Sequence, residues 1–556
     1  MTGPEHSLSG AKVMTIEEKI LSLFPAEDSV PEEFRLRSPL IQREYLTDGE
    51  LRFWDGPVQE VRSPVWLDGR PGLSRKVIGA YPLLTQKEGI EALEAAVCAY
   101  HSGKGAWPAM PLGDRVGRVE EFLHVMRSKK KEITRLLMWE IGKSYRDAEK
   151  EFDRTADYLG DTIEAAKNLD LTSSKLVCEK GIIGQIRRSP LGIVFCTGPF
   201  NFPLYETLTT LFPALIMGNT AIFKPPKLGV LLHQPLLRAF RDIFPPGVVN
   251  IVCGDGSQVV TPLLASGKVD VLAFIGSSRV ADLLRSLHPR PHRLRSVLGL
   301  EAKNPALVLP DADLSLAVGE CVRGSLAFNG QRCTALKILF VHSSVVDQFV
   351  ERFAGMMEKV KFGMPWEKDV VITPLAEPEK TVYLKELVDD AVLLGANIVN
   401  THGGMINRTF FYPALLYPVN SAMRIYREEQ FGPLAPVVAF DDIEEPVQYI
   451  VESSYGQQMS IFGRDTNAIA EIVDVLVNQV CRVNINSLCQ RGPDTFPFAG
   501  RKDSGEGTLS VIDALRAFSI RTIIATRDTE TNKRLIKKIV SDRKPGFLLS
   551  NLIEKT

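Results

Sequence analysis

The eight cysteines of this 556-residue chain are scattered, and no two of them form a C-x-x-C pair. That spacing suggests neither a disulfide framework nor a thiolate zinc site. The histidines are equally dispersed, and His288 and His292 sit in His-Pro-Arg-Pro-His, where the prolines disfavour a helical ligand pair. An excess of either charge is missing too, with 66 Lys plus Arg against 67 Asp plus Glu. Whole-chain charge therefore argues for neither nucleic acid nor a membrane, and the expected partners are small molecules and further copies of the chain. No apolar run is long enough to cross a bilayer. The first residues lack an apolar core of signal-peptide length, and Glu5, Glu17 and Glu18 argue against a transit peptide. A reduced, cytoplasmic setting is expected. A complete G-x-G-x-x-G is also absent: after Gly254-Asp-Gly256, Val259 stands where the third glycine belongs.

What the sequence does contain is a long alternation of helical and strand signals from about residue 85 to 525, which predicts an α/β protein of two or three domains. Residues 113–137 and 139–168 read as helices, the second with Tyr145, Ala148, Phe152, Ala156, Leu159, Ile163 and Ala166 near a 3.6 period. Residues 191–197 read as a buried strand ending at Gly198-Pro199. A helix follows near 205–217, then a strand from Thr220 to Phe223. Two segments stand apart: residues 173–189 as two short strands around Glu179-Lys-Gly181, and 518–526 as a late strand. Such edges invite cover by a partner subunit. Residues 1–40 and 529–556 read as appended arms.

One cysteine is set differently from the other seven. Cys333 follows Asn329-Gly-Gln-Arg332 on a glycine-bearing turn and precedes Thr334. Backbone amides and the Arg332 guanidinium are expected there to favour the thiolate, which makes Cys333 a candidate nucleophile. Phe274-Ile-Gly-Ser-Ser278 also follows a strand and opens a helix, so Gly276 and Ser277 suit a pyrophosphate, or equally an ordinary capped turn.

Six segments in order resemble the aldehyde dehydrogenase superfamily: Gly198-Pro-Phe-Asn-Phe-Pro203, Lys224-Pro-Pro226, Phe274–Ser278, Gly330-Gln-Arg-Cys-Thr334, Glu428-Glu-Gln-Phe-Gly-Pro433 and Pro497-Phe-Ala-Gly-Arg-Lys-Asp-Ser-Gly505. The resemblance covers roughly residues 45–525. It implies a Rossmann-type cofactor domain (41–170 and 190–300), an α/β catalytic domain (301–515), a small β oligomerisation ribbon (171–189 and 516–528), and dimers or tetramers.

The resemblance also implies roles. A thiolate at Cys333 adds to the aldehyde carbon and Asn201 steadies the oxyanion. Lys224 faces the adenosine ribose, and Glu429, with Phe431 in the same motif, the nicotinamide ribose. NAD-preferring relatives often carry a glutamate where this chain has Lys227, and a lysine attracts a 2′-phosphate, so NADP is expected over NAD. The usual Glu-Leu-Gly-Gly-Lys base motif is replaced by Gly299-Leu-Glu-Ala-Lys303. Gly299 occupies the base position, and Glu301 is either a substitute base or a structural carboxylate.

Arg154, Arg332 and Arg491 stand in contexts similar to those of non-phosphorylating, NADP-dependent glyceraldehyde-3-phosphate dehydrogenases, where matching arginines surround the substrate phosphate. Phe202 and Thr334 join them as expected substrate contacts, with Phe202 in place of a tyrosine common in that subfamily. The function expected is oxidation of glyceraldehyde 3-phosphate to 3-phosphoglycerate with NADP and water through a Cys333 thioester. Oxidation of another small or acidic aldehyde, transfer of the acyl group to coenzyme A, and an inactive binding protein on the same fold stay open.

Overall fold

The computed structural model describes residues 14–69, 72–173 and 175–542. The ends of both expected arms, 1–13 and 543–556, lie outside it. Residues 14–40 are not a loose arm: the helix Ile16–Leu21 is closed by a capping box between Thr15 and Glu18, and Ile20 is fully buried. The Asn407 amide donates to the Ile20 carbonyl at 2.7 Å and fixes this helix on the body.

An eight-stranded sheet runs in the order Gly505–Glu506, Arg295–Gly299, Val271–Ile275, Ile193–Thr197, Thr220–Lys224, Val249–Ile251, Glu44–Thr47 and Glu50–Phe53. Its five central strands are parallel and its edges antiparallel. Ile193–Cys196, Ala221–Phe223 and Val271–Phe274 are buried, as expected for strands covered by helices on both faces. A seven-stranded sheet holds Leu434–Phe440, Leu336–His342, Asn304–Val308 and Gln458–Phe462 in parallel at its centre. The chain passes from the first sheet to the second between Gly299 and Asn304.

The two long helices expected from the sequence become three: Leu112–Ser128, Lys130–Ile141 and Tyr145–Ser173. The second ends at Gly142, whose φ is +69°, and a Cβ there would lie 2.4 Å from the Pro374 carbonyl oxygen. Only glycine closes the helix in that space. The expected hairpin forms as Leu176–Glu179 and Ile182–Pro190 around Lys180 and Gly181, both at positive φ. The late strand Ser519–Arg527 pairs antiparallel with Ile182–Pro190 over nine residues. Among the described residues no helix is long and apolar enough to cross a membrane, and no group of histidine, cysteine or carboxylate side chains is placed to hold a metal.

Candidate active site

Cys333 sits between the helix Leu314–Leu326 and the strand Leu336–His342, on a turn whose backbone is forced into unusual conformations. Phe328, Asn329 and Gly330 all have positive φ. Asn329 is held there by both ends of its amide, accepting from the Thr373 amide at 2.8 Å and donating to the Thr373 hydroxyl at 3.1 Å. A Cβ on Gly330 would meet the Gly432 carbonyl oxygen at 2.5 Å. The nucleophile turn is thus clamped from two other segments. Asn304 fixes its exit by donating to the carbonyls of Cys333, at 2.7 Å, and Ala335.

Cys333 and Asn201 open into one cleft of about 560 Å³, together with Gly276, Ser277, Glu301, Glu429 and Phe431. The structure thus brings together seven residues named from separate stretches of sequence. Asn201 donates one amide hydrogen to the Gln331 carbonyl at 2.8 Å, two residues before the thiol, so its second hydrogen remains for an oxyanion. The loop carrying Asn201 rests on a buried ion pair. Lys143 binds Glu151 and the Asn201 carbonyl, while Glu151 accepts the amides of Leu204 and Tyr205 at 3.0 and 3.1 Å and so caps the helix Tyr205–Ile216.

The thiol itself departs from expectation. Burial pushes Cys333 above the ordinary thiol range, and the charge of Glu206 adds to that; Lys337 and Arg491 oppose it. Arg332, expected to favour the thiolate, interacts with Cys333 through its charge but finds its hydrogen bond elsewhere. Its Nη2 donates to the Gly324 carbonyl at 3.2 Å, and the side chain borders a different hollow with Asp147 and Lys150. Phe202 and Thr334 do not line the cleft either. Phe202 packs beneath the Lys143 ammonium, 3.7 Å from its ring centre, and Thr334 is buried.

The remaining arginines are already partnered. Arg154 makes a two-pronged contact with Asp494, at 2.9 and 2.7 Å. Arg491 is buried against Glu206, with Asp494 3.7 Å away. Two of the three expected phosphate-binding cations therefore face internal carboxylates. Glu301 is engaged as well: it accepts the Ser278 amide at 2.8 Å, capping the helix Ser278–Ser286, and Lys303 is bound to Gln430 and the Glu428 carbonyl instead.

Residues 69–524 match the sequence profile of the aldehyde dehydrogenase family. The chain belongs to the aldehyde dehydrogenase family. It is 32% identical over 439 residues to an NADP-dependent glyceraldehyde-3-phosphate dehydrogenase of Triticum aestivum, covering 78% of this chain and 86% of that one. The structure of an NADP-dependent glyceraldehyde-3-phosphate dehydrogenase from Bacillus halodurans, complexed with NADP, superposes with a TM-score of 0.80 at 31% identity, over 88% of this chain and 100% of that one. Lactaldehyde dehydrogenase from Escherichia coli does so with the same TM-score and coverage at 28% identity.

In this aldehyde dehydrogenase the crevice at the carboxyl ends of the parallel strands has features that fit a dinucleotide. The half-buried Lys224 ammonium has one hydrogen bond, a 3.3 Å contact to the neighbouring Pro225 carbonyl, and so retains donors. Lys227 is exposed close by, and each lysine's charge acts on Asp255. Ser277 caps the helix Ser278–Ser286 from its N-terminus, where anions are favoured. Glu429 is fixed by Lys337 at 2.7 Å and by the Ala302 amide.

Four functional neighbours escaped the sequence reading: Glu206, Lys337, Lys143 and Glu151. Two of them are lone charges in apolar stretches, Lys337 in Leu-Lys-Ile-Leu-Phe and Glu206 in a helix with no other charge. A lone charge in a buried element is the signal that was available.

Proposed function

We propose that this chain oxidises a short hydroxylated aldehyde to its carboxylate, with NADP as cofactor and glyceraldehyde 3-phosphate as the substrate. The observation that carries the reading is the meeting of Cys333 and Asn201 at the wall of one cleft. The Cys333 sulfur adds to the carbonyl carbon, and its proton is lost as the C–S bond forms. Asn201 and the Cys333 amide then hold the oxygen, which carries the negative charge. Lys224, Lys227 and Ser277 would hold the adenosine and phosphate parts of NADP, and Glu429 the nicotinamide ribose. The chemistry that NADP supplies when bound is acceptance of the aldehyde hydrogen with its electron pair. Cys333 is left carrying a thioester, which water cleaves.

Glyceraldehyde 3-phosphate is favoured by the names of the relatives and by the retention of arginines at 154, 332 and 491. A second reading, an unphosphorylated hydroxyaldehyde of the lactaldehyde kind, is favoured by the pairing of Arg154 with Asp494 and of Arg491 with Glu206. Those carboxylates cancel the charge that a phosphate would seek. Initial rates with glyceraldehyde 3-phosphate, glyceraldehyde and lactaldehyde, each with NADP and with NAD and without inorganic phosphate, test both. The proposal expects the phosphorylated aldehyde and NADP to lead. Equal rates with glyceraldehyde would remove the phosphate reading, and preference for NAD would remove the argument from Lys227.

A further inference from the structure

A thioester on Cys333 needs a group that takes a proton from water, and five carboxylates line the cleft: Glu206, Glu301, Glu377, Glu428 and Glu429. Four of them have a partner, Glu206 in Arg491 among them. Glu301 caps a helix through the Ser278 amide. Glu428 is held by both nitrogens of Arg424, at 2.9 and 3.0 Å, and Glu429 by Lys337 and the Ala302 amide. Glu377 stands beside Lys380, and its charge acts on that lysine. Of the five, Glu206 is the carboxylate whose charge acts most on the Cys333 sulfur.

The setting of Glu206 argues further for a role at the thiol. It lies in the first turn of Tyr205–Ile216, a helix buried along its whole length and carrying no second charge. Burying an ionised carboxylate is unfavourable before any partner is counted. Arg491 supplies one partner, a contact to Oε2, and thereby fixes the direction of the carboxylate while it still faces the cleft. Glu206 follows Asn201 by five residues, so proton acceptor and oxyanion donor are positioned by one loop. A purely structural partner for Arg491 is already present in Asp494, 3.7 Å from its Nε.

We propose that Glu206 is the general base of deacylation, activating the water that releases the product acid from Cys333. This rests on the thioester reading above. As the water oxygen bonds to the acyl carbon, Glu206 takes one of its protons. Collapse of the tetrahedral species breaks the C–S bond, Cys333 leaves as thiolate, and Glu206 passes the proton to solvent through the cleft. No electrons are exchanged in this step. Gly299, which lines the same cleft, has no side chain to offer as a base.

The test compares Glu206→Gln with Glu301→Gln by rapid mixing, using whichever of glyceraldehyde 3-phosphate and lactaldehyde the unaltered enzyme oxidises faster. For Glu206→Gln, the first turnover should release about one equivalent of NADPH per active site at a rate within threefold of the unaltered enzyme. Steady-state kcat should then fall by roughly a hundredfold or more. Intact-protein mass spectrometry should show the acyl group accumulated on Cys333, and hydroxylamine should discharge it. Glu301→Gln should show no build-up of the acyl group on Cys333. Loss of the first turnover together with the steady state, or unchanged kcat, would overturn the assignment, as would acyl accumulation in Glu301→Gln. Should the glutamine variant not fold, Glu206→Asp keeps the charge against Arg491 and is expected to lower kcat alone; an aspartate variant with normal kcat overturns the proposal equally. Absence of any Cys333 adduct in the unaltered enzyme would sink the thioester reading itself. An adduct there with none building up in the variants sinks only the role of Glu206.

Discussion

Lys143 and Glu151 form an ion pair whose two side chains are almost wholly out of solvent, and between them they hold the Asn201 carbonyl and the first amides of the helix that follows. Removing one member strands the other in the core. Glu151→Gln or Lys143→Met should cost about 3–5 kcal/mol of stability, the usual penalty for half of a buried pair. Chemical denaturation followed by tryptophan fluorescence checks this, and the double variant Lys143→Met with Glu151→Leu should be less damaged than the worse single one.

Asn201→Ala removes the side-chain donor expected at the oxyanion. It should lower kcat by about a hundred- to a thousandfold. The binding of NADP, measured by quenching of protein fluorescence, should be little altered. A parallel collapse of NADP binding would mean that the substitution had deformed the loop.

The Cys333 thiol lies above the ordinary range because it is buried and because Glu206 is near. A raised value leaves less thiolate at neutral pH, so the first-turnover rate should climb with pH through and beyond about 8.5, the free-thiol value. Glu206→Gln removes one cause of the rise and should move this profile toward lower pH. A first-turnover rate flat from pH 6 to 9 would contradict the burial argument.

Lys227→Glu reverses the charge expected to meet the 2′-phosphate. A lost charge-assisted hydrogen bond of about 1.5–3 kcal/mol corresponds to a KM for NADP raised by roughly ten- to a hundredfold. The KM for NAD should change far less. Equal changes for both cofactors would place Lys227 away from the phosphate.

The order of elements and the members of the cleft were legible because both are written locally: buried strands as apolar runs, the nucleophile as a glycine-bearing turn, the cofactor groove as a strand followed by a capped helix. The break at Gly142 was hidden because the apolar period continues across it, and only the Pro374 carbonyl shows why the helix must stop. Charge pairing was the least legible. Arg154 meets Asp494, 340 positions later, and Arg491 meets Glu206, 285 positions earlier. Glu151, three residues before Arg154 on the same helix, pairs with Lys143 instead. Arg332 borders a hollow other than the cleft for a related reason. Adjacency to Cys333 in sequence says nothing about direction on a turn with successive left-handed residues.

The strand Ser519–Arg527 lies against Ile182–Pro190, and Gly505–Glu506 closes one side of the eight-stranded sheet. Both seams join segments to partners made some two hundred residues or more later in translation. A nascent chain that has reached only residue 506 has every candidate catalytic group already synthesised, yet it holds Ile182–Pro190 without the strand that covers one of its flanks. Synthesis of the reactive centre and completion of its scaffold are therefore separate events, in that order.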